Sequence, residues 1–167
     1  MVEIQRAGAE GVDALEALCR GLFDAIAQAD PEPIVPFLEG DALWAARRLS
    51  YLRWLASDGS FLLIARDGGA PVGYALVEVQ ESDGDFDFGG PLAEMQSLFV
   101  VPHRRGERIG EHLVVCAREA LREMGVACML VGVLASNANA IGFYEHLGLQ
   151  RWAVQFVDRI EGPRRID

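Results

Sequence analysis

The stretch LFVVPHRRGERIGEHL, Leu98 to Leu113, changes its hydrophobic period in mid-course. Apolar residues are nearly continuous up to Pro102, whereas from Ile109 they recur at helical spacing, at Ile109, Leu113, Ala117, Ala120, Leu121 and Met124. A strand is therefore expected to pass through a short turn into an amphipathic helix. Gly125 closes that helix, and a further apolar run, 127–134, reads as a second strand. Strand, helix, strand is most simply a right-handed parallel crossover, so the expected fold class is α/β.

The turn itself favours an anion. It ends where helical N–H groups have no intrahelical acceptor, at the positive end of the helix dipole, and it carries Arg104, Arg105 and Arg108. The formal charge of the whole chain is −10, so three arginines within five positions stand out. A phosphate site and an ordinary loop with a solvated charge cluster both fit this pattern.

Composition narrows the chemistry. A length of 167 residues suits one domain with a sizeable core, and the acidic balance argues against nucleic-acid backbones as partners. All 15 basic residues are arginine. Without lysine there is no Schiff-base chemistry, no pyridoxal-phosphate attachment and no GK[ST] phosphate loop. Cys19, Cys116 and Cys128 lack metal-ligand spacing and read as reduced thiols of a cytoplasmic protein. His103, His112 and His146 suggest no metal site, and no segment is long and apolar enough for a bilayer.

The remaining elements follow from periodicity and punctuation. Val2–Arg6 reads as a strand and Val12–Ala27 as a helix with Leu15, Leu18, Leu22 and Ile26 on one face. The prolines of DPEPIVP mark a loop, and Asp41 is the expected N-cap of a helix to about Ala56, with Trp44, Arg48, Tyr51 and Leu55 on a core stripe. Phe61–Arg66 and Val72–Glu81 flank DGGAP as an antiparallel hairpin. A Gly-rich acidic loop, Glu81–Pro91, leads into a strand over 92–101. A helix over 138–147 and a last strand over 149–158 complete the series.

Two separated segments resemble the GCN5-related N-acetyltransferases, which move an acetyl group from acetyl-coenzyme A to an amine. The family's pyrophosphate loop, [QR]xxGx[GA] after a strand ending V-x-P, is matched by Val100, Val101 and Pro102 followed by Arg105, Gly106, Glu107, Arg108, Ile109 and Gly110. It departs once, with Arg108 in place of the first glycine. The second pattern, NxxAxxxYxxxGF, appears as Asn137, Ala140, Tyr144 and Gly148, with Leu149 in place of Phe. The resemblance spans about Val72 to Val157.

It implies a splayed mixed β-sheet flanked by helices in a single domain, with acetyl-coenzyme A as cosubstrate and no metal. Backbone N–H groups from Gly106 to Gly110 would hold the pyrophosphate. Arg108 is then either strained, if its position needs a positive φ, or a further ligand contact, as Arg104 and Arg105 can be. Leu98, Phe99 and Val100 would pair with the pantetheine arm as an added strand does, with the N–H of Phe99 or Val100 at the thioester oxygen. Asn137 would contact the cofactor or cap its helix. Tyr144 would protonate the departing thiolate.

The implied mechanism is direct attack by a bound amine, for which Glu94 is the first candidate base, with Glu81 and Asp83 as backups. Glu94 is expected to share a sheet face with Gln96 and Leu98. The expected acceptor is a small-molecule or peptide amine, and the carboxylates of Glu81, Asp83, Asp85 and Asp87 would attract a cation. A homodimer through the last strand or the apolar helices fits the pattern. The alternatives from other classes are a non-catalytic acyl-coenzyme A sensor and a nucleotide-binding regulatory domain.

Overall fold

The computed structural model describes residues 1–81 and 85–159. Five strands form one sheet in the order β1 (Val2–Ala7), β2 (Phe61–Asp67), β3 (Ala70–Gln80), β4 (Leu92–Val100) and β5 (Cys128–Leu130). The first four pair antiparallel and β4 pairs parallel with β5, as the strand, helix, strand reading requires. The β2–β3 hairpin turns at Gly68 and Gly69, whose φ values of +56° and +88° need residues without a Cβ.

Two cores lie on the two faces of the sheet. On one, α3 (Ile109–Glu123) buries Ile109, Leu113, Val114, Ala117 and Leu121 against Phe61, Leu63, Val77 and Met95. On the other, a 3-10 turn (Ala9–Leu15), α1 (Glu16–Ala29) and α2 (Gly40–Trp54) cover Leu62, Ile64, Tyr74, Leu76 and Phe99. Buried on both faces, β2 and β3 run as nearly unbroken apolar sequence. The last helix, α4 (Ala138–His146), follows β5.

Several boundaries differ from expectation. The segment before α1 is 3-10 rather than α-helical through Leu15. Asp41 is not an N-cap: α2 begins at Gly40, and the Asp41 carboxylate in its first turn takes a bond from Arg20 at 2.9 Å. On the α2 stripe, Tyr51 is fully buried with Trp44 and Leu55 packed around it, while Arg48 turns outward to Asp13 at 2.6 Å. Met124, at the end of the α3 stripe, is exposed.

Two expected strands are shortened or missing. Only Cys128–Leu130 of the 127–134 run joins the ladder. No part of 149–158 is a strand, and Val154 and Phe156 are 79% and 95% exposed. Alternation reports strand propensity but does not secure a partner, and among the described residues the outer edge of β5 stays unpaired. Here Trp152 instead packs edge-on against Phe86 and Phe88, at centroid distances of 5.1 and 5.6 Å, and Arg151 bonds Glu145 at 2.7 Å.

Candidate active site

β4 carries the feature that opens the site. Its pairing with β5 ends at Glu94, so from Met95 onward one backbone edge has no neighbouring strand. Within β4, Ser97 lies opposite Leu76 and Met95 opposite Val77, which leaves Gln96 as an extra, bulged residue. The bulge moves the later residues by one face. Met95 points into the α3 core, whereas Phe99 joins the α1/α2 core and Leu98 packs on the α3 side. The expected shared face of Glu94, Gln96 and Leu98 therefore holds for the first two only, because strict alternation does not survive an inserted residue.

Beside this edge lies an open groove of about 410 Å³. One wall is the α1 surface of Leu22, Ala25, Ile26 and Ala29, and the floor is Leu98, Phe99 and Val100. The turn from Arg104 to Glu111 closes one end, and Asn137, Ala140, Phe143 and Tyr144 of α4 and its cap form the opposite wall. Apart from Glu107, the residues expected to hold a cofactor all line this groove.

The turn is built as an anion cradle. Gly106 has φ +85°, and Arg108, the N-cap of α3, has φ +60° and ψ +15°. Arg108 thus occupies the left-handed region in which the family pattern has glycine, a conformation that costs an L-residue about 1–2 kcal/mol. No side chain caps α3, and its first internal bond is from the His112 N–H to the Arg108 carbonyl, so the amides of Ile109, Gly110 and Glu111 have no intrahelical acceptor. A Cβ on Gly110 would come within 3.4 Å of the Phe143 ring, so this glycine also lets α3 meet α4 closely.

The three arginines separate into two roles. Arg104 bonds Asp67 at 2.7 Å and Glu107 at 2.7 and 2.9 Å, which explains why the Glu107 side chain does not face the groove. Arg105 and Arg108 make no ion pair among the described residues. Arg105 lies over the Phe99 ring, 5.8 Å from its centroid, and reaches the Val100 carbonyl at 3.4 Å.

Asn137 caps α4, its side chain accepting the Ala140 N–H at 3.1 Å, while it also borders the groove. Tyr144 stacks edge-on with Phe143 at 5.2 Å, and burial raises its hydroxyl well above the ordinary tyrosine pKa. Among the described residues that hydroxyl has no protein hydrogen-bond partner. His146 is exposed and lies outside the groove.

Glu94 lies outside the groove walls, four residues before Leu98, or roughly 13 Å along a strand. Burial raises its carboxyl above the ordinary range, and the charge of Glu78, its partner in register, adds to that rise while Gln96 opposes it. Gln96 and Gln80 both donate to Glu78, at 2.9 and 2.8 Å. A Cβ on Gly132 would meet only Glu94 Oε1, at 3.9 Å, so the chain beyond β5 leaves room beside this carboxylate. Glu81, Asp85 and Asp87 are exposed, and Asp83 falls outside the described residues.

The acetyltransferase (GNAT) family model matches residues 9–149. The chain belongs to the GNAT family. Mycothiol acetyltransferase of Thermobispora bispora is 31% identical over 106 residues, which is 64% of this chain and 35% of that protein. The chain thus spans about a third of the length of the curated relatives it matches. A GCN5-related N-acetyltransferase from Ralstonia eutropha shares the fold at TM-score 0.70 and 18% identity, covering 97% of this chain and 100% of that one. An aminoglycoside N-acetyltransferase in complex with coenzyme A does so at TM-score 0.65 and 18% identity, covering 96% and 95%.

The α1 wall of this GNAT groove escaped the sequence reading. Leu22 and Ile26 carry the same apolar signal whether they face a core or a cleft, and Ala25 and Ala29 carry none.

Proposed function

We propose that the protein transfers the acetyl group of acetyl-coenzyme A directly to a primary amine of a small molecule or peptide, with no covalent enzyme intermediate. The observation that carries this reading is the coincidence, in one groove, of the free β4 edge, the unpaired first turn of α3 and the Tyr144 hydroxyl. An extended ligand with a diphosphate at one end and amides along its length matches that order of donors.

The main-chain amides between Gly106 and Gly110, with Arg105 and Arg108 beside them, bind and orient the diphosphate. Leu98 to Val100 pair with the amides of the arm, and the N–H of Phe99 or Val100 holds the thioester oxygen as charge develops on it. The amine nitrogen attacks the acyl carbon as the carbon–sulfur bond breaks. Tyr144 gives its proton to the departing sulfur, and its proton is later replaced from solvent. The ammonium proton passes to Glu94 through water, because the carboxylate lies beyond the groove. Glu94 suits this task, since burial and Glu78 raise its pKa above the ordinary carboxylate value.

The acceptor enters from the side of Glu78 and Glu94, where the exposed carboxylates of Glu81, Asp85 and Asp87 favour a cation and salt weakens the attraction. A panel of amines incubated with acetyl-coenzyme A, with release of free thiol recorded, tests the reading. Thiol release that needs both an amine and the protein supports it. The distance of Glu94 from the groove favours a second reading, an acyl-coenzyme A sensor without turnover, and tight binding with no release across the panel would select it.

A further inference from the structure

Arg47, in the middle of α2, reaches across to β4 at the bulge. Its Nη2 donates to the Gln96 carbonyl at 3.0 Å and to Ser97 Oγ at 3.2 Å. The Ser97 hydroxyl itself donates to the same carbonyl at 2.8 Å. A serine hydroxyl has one proton, so the Tyr51 hydroxyl, 3.2 Å from Ser97 Oγ, must donate to it. The Tyr74 hydroxyl, 2.6 Å from that of Tyr51, must then donate to Tyr51. Every arrow of this buried chain ends on the carbonyl of the one residue that is extra in the β4 ladder.

The environment of the cation is unusual. Its guanidinium carbon lies 5.3, 5.3 and 5.0 Å from the ring centroids of Phe23, Tyr51 and Trp54, and its Nε is buried without a partner. Arg47 makes no ion pair among the described residues. The charge rests on three aromatic faces and two oxygen acceptors rather than on a carboxylate, and an apolar side chain of similar volume would fill the space without the cost of desolvating a cation. What an apolar residue cannot supply is a charged donor to a carbonyl turned out of the sheet.

We propose that Arg47 is a positioning residue which holds the β4 bulge in place, and so sets the height at which the backbone of Leu98 to Val100 meets the acyl thioester. The inference rests on the acetyl-transfer reading above. Without the bulge, strict alternation would exchange the faces of Ser97, Leu98 and Phe99, and the floor of the groove would change with them.

The test compares Arg47→Met and Arg47→Lys with the parent protein by steady-state kinetics, calorimetry with coenzyme A, and amide hydrogen exchange over residues 92–101. In Arg47→Met, kcat is expected to fall roughly 10- to 100-fold, the effect of a misplaced reacting group. Coenzyme A affinity should fall by much less than kcat does, because the diphosphate turn is untouched. Exchange should quicken at 96–99 and not in β2. Arg47→Lys keeps the charge and should recover part of kcat.

A kcat within about twofold of the parent, or a loss of coenzyme A affinity parallel to the loss of kcat, overturns the assignment. If the parent turns over no amine, the transfer reading has failed and exchange alone decides. Selective loss of protection at 96–99 then supports the Arg47 role, and unchanged protection there removes it. Should Arg47→Met not fold, Arg47→Lys carries the same comparisons, with a smaller but still selective loss of kcat expected.

Discussion

Arg104 Nη1 donates to Asp67 Oδ2 across 2.7 Å, which fastens the turn before α3 to the hairpin end of β2. The same guanidinium grips Glu107, so a three-residue ionic clasp adds to the backbone bonds of the turn. Asp67→Ala should loosen the turn and weaken coenzyme A binding by roughly 2- to 10-fold, read by calorimetry, with a change in global stability of about 1 kcal/mol or less because the pair is still reached by solvent. Hydrogen bonding from Arg104 lowers the Asp67 pKa below the ordinary carboxylate value. The clasp is therefore complete above about pH 4 and is lost only as pH falls through that lowered value.

Arg108 stores strain that glycine would release. Arg108→Gly removes a left-handed penalty of about 1–2 kcal/mol and adds about 0.5–1 kcal/mol of chain entropy to the unfolded state, so denaturant unfolding should show a net gain of roughly 0.5–1 kcal/mol. Coenzyme A titrations on the same variant separate the two readings of this residue. Unchanged affinity means the side chain is a passenger, and a several-fold loss means that it touches phosphate.

Tyr144→Phe deletes a hydroxyl that has no protein partner among the described residues. Stability should stay within about 0.5 kcal/mol of the parent, and coenzyme A affinity should be nearly unchanged. The turnover number should fall about 100-fold or more, as expected when a general acid is lost. Equal turnover in the two proteins would remove the proton-donor role.

Glu94 must be ionised to accept a proton, so kcat/KM should rise with pH along a limb above the ordinary carboxylate range, and Glu94→Gln should abolish that limb. The linkage to stability has the opposite sense. Because the folded-state pKa is raised, the folded protein binds more protons than the unfolded chain between the two values, and this group's contribution to stability declines as pH rises through that window. Parallel pH profiles of rate and of denaturation midpoint for Glu94→Gln check both signs.

Gly21 lies where α1 crosses the sheet. A Cβ there would sit 2.9 Å from Cζ of Phe99, a ring that is 5% exposed and forms part of the groove floor. Gly21→Ala gains about 1 kcal/mol in helix propensity yet must displace that ring, at a cost of about 1–3 kcal/mol. Thermal unfolding should show net destabilisation, and coenzyme A binding should weaken as the floor shifts.

The parts of the fold that were legible in the sequence are those encoded by local pattern. The change of period around Pro102, the Gly68–Gly69 hairpin, the Gly125 helix end and the −10 charge interrupted by an arginine cluster all act over a few residues. The bulge at Gln96 left no such mark, because Met95, Leu98 and Phe99 are apolar whichever face of the sheet they take. Nothing local singles out Arg47, since the carbonyl it holds is 49 positions away. The 149–158 segment failed in the reverse direction, having the pattern of a strand but no ladder, since its Trp152 packs against Phe86 and Phe88 instead.

The brevity of β5 has a thermodynamic consequence. With only Leu92 to Glu94 matched on that side, the ladder stops a third of the way along β4 and its remaining rungs are free. On the function proposed above, an amide-bearing molecule seated there would zip the sheet shut and become, in effect, its next strand. Cooperative unfolding should therefore track the concentration of that molecule, with the melting temperature climbing by mass action well past the point of simple saturation.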